Sequence, residues 1–396
     1  MIIGVSVERH PKESRVALVP ALVPDLVKAG LEVLVEPGAG VKAGFLDVAY
    51  EEHGARFAAD RTELFSSADV LFLVHGLHVN SEAGADDLKL LRSGQMMVGL
   101  LNPLGAPEAA LQLADKGITA FALELLPRIA RSQPMDALSS MATVAGYKAV
   151  LLAAGALNKL YPMMITAAGT ITPARVLVVG AGVAGLQAIA TSRRLGAVVR
   201  AYDVRPAVRE QVESLGAKFV ELELETEEAE TTGGYAQAMG EEFYRRQREM
   251  MKRVVVESDV VITTAAIPGK KSPVLITEEM VKGMEPGSVI VDLAAEGGGN
   301  CELTKPGKTI EAHHVIIMGP ENVASTIPYH ASQMYAKNLT AFLKNMTDDG
   351  ELRIDLKDQI IRDSLLTHKG EVVNPRVREL LGLSGSSSLE EERSNA

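Results

Sequence analysis

Residues 176–185 constrain the fold of this chain more than any other part of the sequence. They read Val-Leu-Val-Val-Gly-Ala-Gly-Val-Ala-Gly, an apolar run followed by glycines at the spacing Gly-X-Gly-X-X-Gly. This pattern predicts a buried parallel strand, a tight turn at Gly180, close approach of a pyrophosphate to Gly182, and a helix that packs closely at Gly185. The first turn of such a helix favours phosphate groups. The segment therefore predicts a Rossmann-like unit that binds an adenine dinucleotide.

An acidic residue stands where this type of unit contacts the adenosine ribose. Asp203 follows a second predicted strand, over 197–202, about twenty residues beyond the glycines. Its carboxylate can accept hydrogen bonds from ribose hydroxyls and would repel a 2′-phosphate, which favours NAD(H) over NADP(H). Arg205 could instead accommodate a 2′-phosphate, but beside Asp203 we interpret it as a solvated side chain at the end of a strand.

Composition excludes several classes of protein. The formal net charge of −11 argues against a nucleic-acid surface, and the single cysteine, Cys301, excludes a disulfide framework. The histidines show no metal-ligand spacing, so we expect no metal, and we expect His313 and His314 to point to opposite sides of a strand. No uninterrupted apolar run reaches the length of a membrane span, and no basic segment precedes the first strand, so we expect a soluble chain without a signal peptide.

Alternating strand and helix patterns predict an α/β fold with two Rossmann-like domains and parallel sheets. Two long helices, over 135–158 and 325–343, should link the domains, with the cofactor in the interdomain cleft. The predicted domains are 1–140 with 325–383, and 141–324, followed by a disordered tail over 384–396. Strands are predicted at 2–7, 32–36, 70–74, 97–101, 120–124, 218–221, 260–263, 289–292 and 315–318.

Three further features bear on a nucleotide site. The long acidic segment over 221–248 contains Gly233-Gly234-Tyr235, which is typical of a mobile functional loop rather than a short connection. Small residues at Ala265 and Ala266 can admit the adenosine or its ribose, and Val183 can pack against the cofactor. Glu296 and Asn300 could touch the site, but a glycine-rich turn is the simpler interpretation.

Several segments resemble one protein family. Residues 7–20, the glycine segment and residues 290–300 are similar to the alanine dehydrogenase and transhydrogenase superfamily. Within it, residues 127–140, 228–242 and 263–269 resemble the NAD(H)-binding subunits, or domain I, of proton-translocating NAD(P) transhydrogenases. The resemblance runs from residue 1 to about 380.

The resemblance implies a function and its partners. NADH bound here would pass hydride to NADP+ on an NADP(H)-binding beta subunit, and a membrane-spanning subunit would couple the transfer to proton translocation. The chain would be a homodimer, cytoplasmic and peripheral on the inner face of the cell membrane through those partners, without membrane insertion or nucleic acid.

The resemblance also implies the site residues. Arg128, Asp136 and Ser139 would hold the nicotinamide carboxamide, Gln133 would reach the nicotinamide-side ribose and the partner's nucleotide, and Tyr235 would close over the site. On sequence alone, Asp136 could equally be a helix N-cap. The complete set of implied cofactor contacts is Arg128, Ile129, Arg131, Gln133, Gly180, Gly182, Val183, Gly185, Asp203, Val204, Arg205, Gly234, Ala265 and Ala266.

A stand-alone alanine or amino-acid dehydrogenase is the main alternative. By resemblance, His75 stands where those enzymes have a catalytic lysine and Asn102 where they have a catalytic histidine, while the carboxylate-binding Arg15 is retained. Arg15 could also form a structural salt bridge. Hydride exchange between two nicotinamides needs no proton transfer at the reacting carbons. The absence of the catalytic lysine and histidine therefore favours transhydrogenation. A nucleotide-sensing subunit without turnover is a third interpretation.

Overall fold

The structure is a computed structural model that describes residues 1–79, 81–221, 241–266, 271–348 and 351–383. The chain divides into two compact units. The first contains Met1–Met141 together with the chain from Ser325 onward, and the second contains Ala142–Ala324. The tail predicted over 384–396 lies outside the described residues.

The first unit is built around one sheet in which most neighbouring strands are parallel. Its central strand, Val70–His75, is almost entirely apolar and buried, as expected where both faces of a parallel sheet are covered. Two short C-terminal strands, which the sequence analysis did not predict, add antiparallel pairs at one edge. The described strands follow one another across this sheet in the order Glu371–Val372, Leu365–His368, Thr119–Ala122, Met96–Leu100, Val70–His75, Ile2–Val5, Glu32–Val35 and Arg56–Phe57.

Local sequence determines where the helices of the first unit begin. The helix predicted from Ser325 begins at Pro328, because proline lacks an N–H and is favoured at the first helical position. The hydroxyl of Tyr335 in this helix donates to the carbonyl oxygen of Leu73 at 2.7 Å and fastens the helix to the central strand. The described α-helices of this unit are Val23–Lys28, Asp47–Glu52, Arg61–Ser67, Ser81–Leu90, Glu108–Asp115, Pro328–Met346, Gln359–Ser364 and Pro375–Leu380.

The second unit contains a doubly wound sheet. The glycine segment joins the strand Arg175–Val179 to the helix Val183–Arg194, and chain order reverses between Arg175–Val179 and Val260–Thr263, which is where such sheets bind ligands. Its other described α-helices are Arg209–Ser214, Glu241–Val256 and Glu278–Gly283. The predicted α/β class with parallel-dominated sheets is confirmed. The described strands of this sheet run in the order Lys218–Phe219, Val198–Tyr202, Arg175–Val179, Val260–Thr263, Val289–Asp292, Val315–Met318 and Thr309–Ala312.

His313 and His314 do not lie in a strand, so that prediction was wrong. They form the two-residue connection of a hairpin in which Ala312 pairs with Val315. Their φ angles are 52° and 63°, because a tight two-residue hairpin turn requires a left-handed backbone at both positions.

A long apolar helix, Ala137–Ala156, runs from the first unit into the second. It begins two residues later than predicted, because Met135 ends a 3-10 helix and Asp136 precedes the first helical residue, and it ends at Ala156 rather than at 158. By length and composition alone this helix could cross a membrane, but a core helix has the same properties. Its residues Ala149, Val150 and Ala153 are fully buried in the core of the second unit.

Candidate functional site

The glycine segment of the second unit adopts the geometry that its sequence predicts. Gly180 turns the chain with a φ of 97°, and a Cβ on Gly185 would lie 1.8 Å from the carbonyl oxygen of Gly180. A Cβ on Gly182 would meet no atom within 4 Å, so the space beside this backbone is open. Val183, the first helical residue, is 37% exposed although it is apolar. The loop therefore leaves room for a ligand beside Gly182 and Val183.

A glycine in the long apolar helix supports this loop. A Cβ on Gly146 would lie 2.1 Å from the carbonyl oxygen of Ala184, in the first turn of the helix Val183–Arg194. Only glycine lets these two helices approach so closely. The sequence analysis missed this contact, and its one signal in the sequence was a glycine within an otherwise apolar helix.

Asp203 lies at the carboxyl end of the strand Val198–Tyr202, as predicted, but its carboxylate is already engaged. Its Oδ2 accepts a hydrogen bond from the backbone N–H of Ala181 at 2.7 Å, so it ties the glycine turn to the neighbouring strand. Arg205 donates from Nε to Oδ1 and from Nη2 to Oδ2, both at 2.9 Å. The interpretation of Arg205 as a solvated side chain was wrong, because its side chain is only 12% exposed.

The end of the strand Val260–Thr263 carries the residues predicted to admit the adenosine. Thr264 donates its hydroxyl to the carbonyl oxygen of Gly180 at 3.1 Å, which joins this strand end to the glycine turn. The side-chain amide of Asn300 accepts from the N–H of Ala265 at 2.9 Å and donates to its carbonyl at 2.8 Å. Ala266 follows in the same segment and is exposed.

A buried carboxylate holds the glycine-rich loop that contains Asn300. Asp292 is fully buried and accepts from the backbone N–H groups of Asn300 and Cys301 at 2.7 and 3.0 Å and from the Thr304 hydroxyl at 2.7 Å. Asn300 is therefore held in place and hydrogen-bonds the backbone of Ala265, rather than serving only as part of a turn. The sequence analysis predicted neither the role of Asp292 nor that of Asn300. The one sequence signal that could have indicated Asp292 is its place as an acid at the end of an apolar strand.

In the first unit, the predicted nicotinamide loop is a 3-10 helix, Ala130–Met135. Ser132 is buried, and its hydroxyl contacts the carbonyl oxygens of Pro127 and Ile129. Asn338 donates to the carbonyl of Pro134 at 2.8 Å. These bonds hold the loop to itself and to the helix Pro328–Met346.

The side chains that this loop presents differ in their surroundings. Arg128 and Gln133 are exposed, and Ile129 is half-buried. Arg131 forms a two-point ion pair with Asp358. Burial would raise the pKa of Asp358, but hydrogen bonds from Arg131, the N–H of Ile360 and Asn345, with the charge of Arg131, together lower that pKa.

Asp136 and Ser139 interact with each other, as the interpretation of Asp136 as a helix N-cap requires. Asp136 precedes the helix Ala137–Ala156 and accepts from the N–H and the hydroxyl of Ser139 at 2.9 and 2.5 Å. This is N-cap geometry, which places both side chains at the positive end of the helix.

A cluster of charged side chains lies in the first unit around Arg15. Arg15 donates from Nε and Nη2 to Glu13 at 2.8 and 2.7 Å, and His75 Nε2 lies 2.7 Å from the same carboxylate. Burial would raise the pKa of Glu13, but hydrogen bonds from Arg15 and His75 hold it well below its usual range. Burial raises the pKa of Glu8 to about 7, although the N–H of Val74 donates to it at 2.6 Å.

Two parts of the predicted site are not described. Gly234 and Tyr235 of the acidic segment lie outside the described residues, as does the end of the 263–269 motif. In the part of the chain that the structure describes, no group of three or more His, Cys, Asp or Glu is placed to hold a metal ion.

Comparisons with known proteins cover both units. The family described as alanine dehydrogenase/PNT, N-terminal domain, matches residues 4–145, and its C-terminal domain counterpart matches residues 149–375. A Rhodospirillum rubrum protein, named as the first part of an NAD(P) transhydrogenase subunit alpha, is 48% identical over 378 residues, which span 95% of this chain and 98% of that protein. The alanine dehydrogenase of Bacillus subtilis is 30% identical over the full length of both chains. The crystal structure of transhydrogenase from Sinorhizobium meliloti is similar at a TM-score of 0.84 and 43% identity, covering 94% of this chain and 100% of that one.

Proposed function

This chain belongs to the alanine dehydrogenase/PNT family, and we propose that it is the NAD(H)-binding subunit of a proton-translocating NAD(P)+ transhydrogenase. In this role it binds NADH and presents it to NADP+ on a beta subunit, and a membrane-spanning subunit couples the transfer to proton movement. The chain acts as a homodimer on the cytoplasmic face of the membrane, held there by its partners. Relatives named NAD(P) transhydrogenase subunit alpha support this function through their identity and coverage.

The glycine segment of the second unit is the observation on which the proposal depends. The open space beside Gly182 suits a pyrophosphate, and the helix that begins at Val183 directs its N-terminus toward negative charge. Asp203 stands where the adenosine ribose is contacted, and Ala265 and Ala266 leave room for the adenosine. These features fit NAD(H).

The loop of the first unit suits the orientation of a nicotinamide ring. Bound NADH supplies the hydride, so the protein must position the ring and keep water away from it. Ser132 and Asn338 immobilise the backbone of the loop, while Arg128 and Gln133 remain exposed on it. Asp136 and Ser139 add a fixed pair of polar side chains. We propose that these four polar residues hold the carboxamide and the ribose, and that Ile129 and Arg131 complete the contacts.

The surroundings of Arg15 argue against amino-acid oxidation. That reaction requires a proton acceptor and a cation that holds the substrate carboxylate. The Arg15 guanidinium is engaged by Glu13, which has no exposed surface in its side chain. The resemblance to alanine dehydrogenases places His75 where those enzymes have a catalytic lysine, and His75 shares the same carboxylate. The same resemblance places Asn102 where those enzymes have a catalytic histidine, and an asparagine side chain is neither an acid nor a base. We therefore assign Arg15 a structural role.

Two assays on the purified chain test the proposal. Chain, NAD+ and alanine should produce no NADH, whereas a stand-alone dehydrogenase would produce it at a useful rate. With the NADP(H)-binding subunit added, NADPH should reduce an NAD+ analogue whose reduced form absorbs at a distinct wavelength. NADH formation from alanine would refute the proposal, and NADH binding without any hydride transfer between the two subunits would favour a nucleotide sensor.

A further inference from the structure

The carboxylate of Asp203 accepts as many hydrogen bonds as it can. Oδ1 accepts from the backbone N–H and from Nε of Arg205, both at 2.9 Å. Oδ2 accepts from the N–H of Ala181 at 2.7 Å and from Nη2 of Arg205 at 2.9 Å. An ionised carboxylate offers about four acceptor sites. A ribose hydroxyl therefore finds no acceptor at Asp203 while the Arg205 side chain is in this position.

Only two of these four bonds can be exchanged for bonds to a ligand. The bonds from Ala181 and from the Arg205 backbone come from main-chain N–H groups, so the backbone would have to move for a ligand to replace them. The two guanidinium bonds involve only side-chain atoms of Arg205 and Asp203. The Arg205 and Asp203 side chains are 12% and 5% exposed, so the pair is largely removed from water. Such a two-point pair competes more strongly with a ligand than an exposed one does.

We propose that Arg205 determines nucleotide affinity and specificity by occupying the ribose-binding sites of Asp203. Its guanidinium must leave the carboxylate before the adenosine ribose of NAD(H) binds there. While the pair is closed, Arg205 also neutralises the charge that would repel a 2′-phosphate. Arg205 therefore weakens NADH binding and narrows the preference for NADH over NADPH. This inference rests on the proposed NAD(H)-binding function.

The Arg205→Ala variant of the full chain tests the proposal. Dissociation constants for NADH and NADPH can be measured from nucleotide fluorescence, since the chain contains no tryptophan. Removing the competing charge-assisted bonds should lower the Kd for NADH by about fivefold or more. The exposed carboxylate should raise the Kd for NADPH. The matched control is Arg209→Gln, which removes the same charge from an exposed pair with Glu213 and should leave both constants unchanged.

A second variant separates two effects of Arg205: its occupation of the acceptor sites on Asp203 and its positive charge. Arg205→Lys keeps the positive charge but cannot bond both carboxylate oxygens side by side. The Arg205→Lys variant should also bind NADH more tightly than the wild type does, but its Kd for NADPH should not rise. A thermal melt checks that each variant is folded, and if Arg205→Ala is not, Arg205→Lys alone decides.

The outcomes are distinguishable. A folded variant whose NADH affinity equals or falls below that of the wild type overturns the proposal, because Arg205 then does not compete with the ribose. If the wild type binds neither nucleotide, the proposed function fails and this inference fails with it. If the wild type binds NADH and the variants match it, only the role of Arg205 is refuted.

Discussion

Gly146→Ala should destabilise the second unit, although alanine is the better helix former. Helix propensity alone would stabilise the chain by about 1 kcal/mol. In this structure, however, the new Cβ would lie 2.1 Å from the carbonyl oxygen of Ala184, where real Cβ contacts are essentially never under 3.0 Å. The two helices must therefore separate by about 1 Å, and overpacking of this kind costs about 1–3 kcal/mol. We expect a net loss of about 1 kcal/mol in the free energy of unfolding.

Gly155→Ala is the matched control in the same helix. A Cβ at Gly155 would meet no atom within 4 Å, and the residue is exposed. The propensity gain should therefore appear without a packing cost, as a stabilisation of up to about 1 kcal/mol. The two substitutions are chemically identical, so their difference of about 2 kcal/mol reports the helix contact alone.

Urea unfolding followed by far-ultraviolet circular dichroism measures both variants, and an NADH titration measures the effect on the loop. Because Ala184 lies in the first turn after the glycines, Gly146→Ala should also weaken NADH binding, whereas Gly155→Ala should not. If both variants are stabilised equally and bind NADH like the wild type, the close approach at Gly146 does not exist.

Three other predictions follow from the two units. Asn300→Ala should lower the free energy of unfolding by about 2 kcal/mol and weaken NADH binding, because Ala265 loses both side-chain bonds that hold it; urea unfolding and titration measure these effects. Gln133→Asn and Tyr235→Phe should each slow hydride transfer from NADPH to an NAD+ analogue in the reconstituted assay. The Gln133→Asn variant should bind NADH with nearly the affinity of the wild type. Glu8 has a pKa near 7 in the folded chain against 4.5 in the unfolded chain, so the folded state binds the extra proton and stability falls as pH rises between these values. Glu8→Gln should abolish that part of the fall, roughly 3 kcal/mol at most, in unfolding measured from pH 4.5 to 8.

Each of these predictions has a result that would contradict it. Wild-type NADH affinity in Asn300→Ala would show that Ala265 does not contact the nucleotide. Unchanged transfer rates in both Gln133→Asn and Tyr235→Phe would remove those assignments. A Glu8→Gln variant with the same pH profile as the wild type would show that this carboxyl ionises normally.

The main features of the fold could be predicted because they depend on neighbouring residues. Buried parallel strands are continuous apolar runs, and glycines at fixed spacing make the turn and the helix start, so the strand, turn and helix of the segment from Val176 to Gly185 were predicted correctly. Element ends were less certain, because they depend on single capping residues such as Asp136 and Pro328. The hairpin turn at His313 and His314 was missed, since the usual sequence signal of a two-residue hairpin turn is Asn-Gly or Asp-Gly.

The candidate site shows where interpretation of the sequence stops. Resemblance indicated the loop of Arg128 to Ser139, but nothing in the sequence showed that Ser132 and Asn338 hold it in place. These bonds join residues up to 204 positions apart in the chain. Asn300 was interpreted as part of a turn because its partner, Ala265, lies 35 positions earlier.

The sequence by itself determined the class of the fold, the glycine turn and the acid that ends the next strand, because each is a property of consecutive residues and their stereochemistry. Only the tertiary structure decided that Gly146 is a site of close helix packing rather than a weak position in its helix. The same holds for the ion pair of Glu13 with Arg15 and for the hydrogen bonds of Arg205 to the Asp203 carboxylate. Those outcomes depend on which side chains the folded backbone brings within hydrogen-bonding or van der Waals distance, and on how far burial removes them from water.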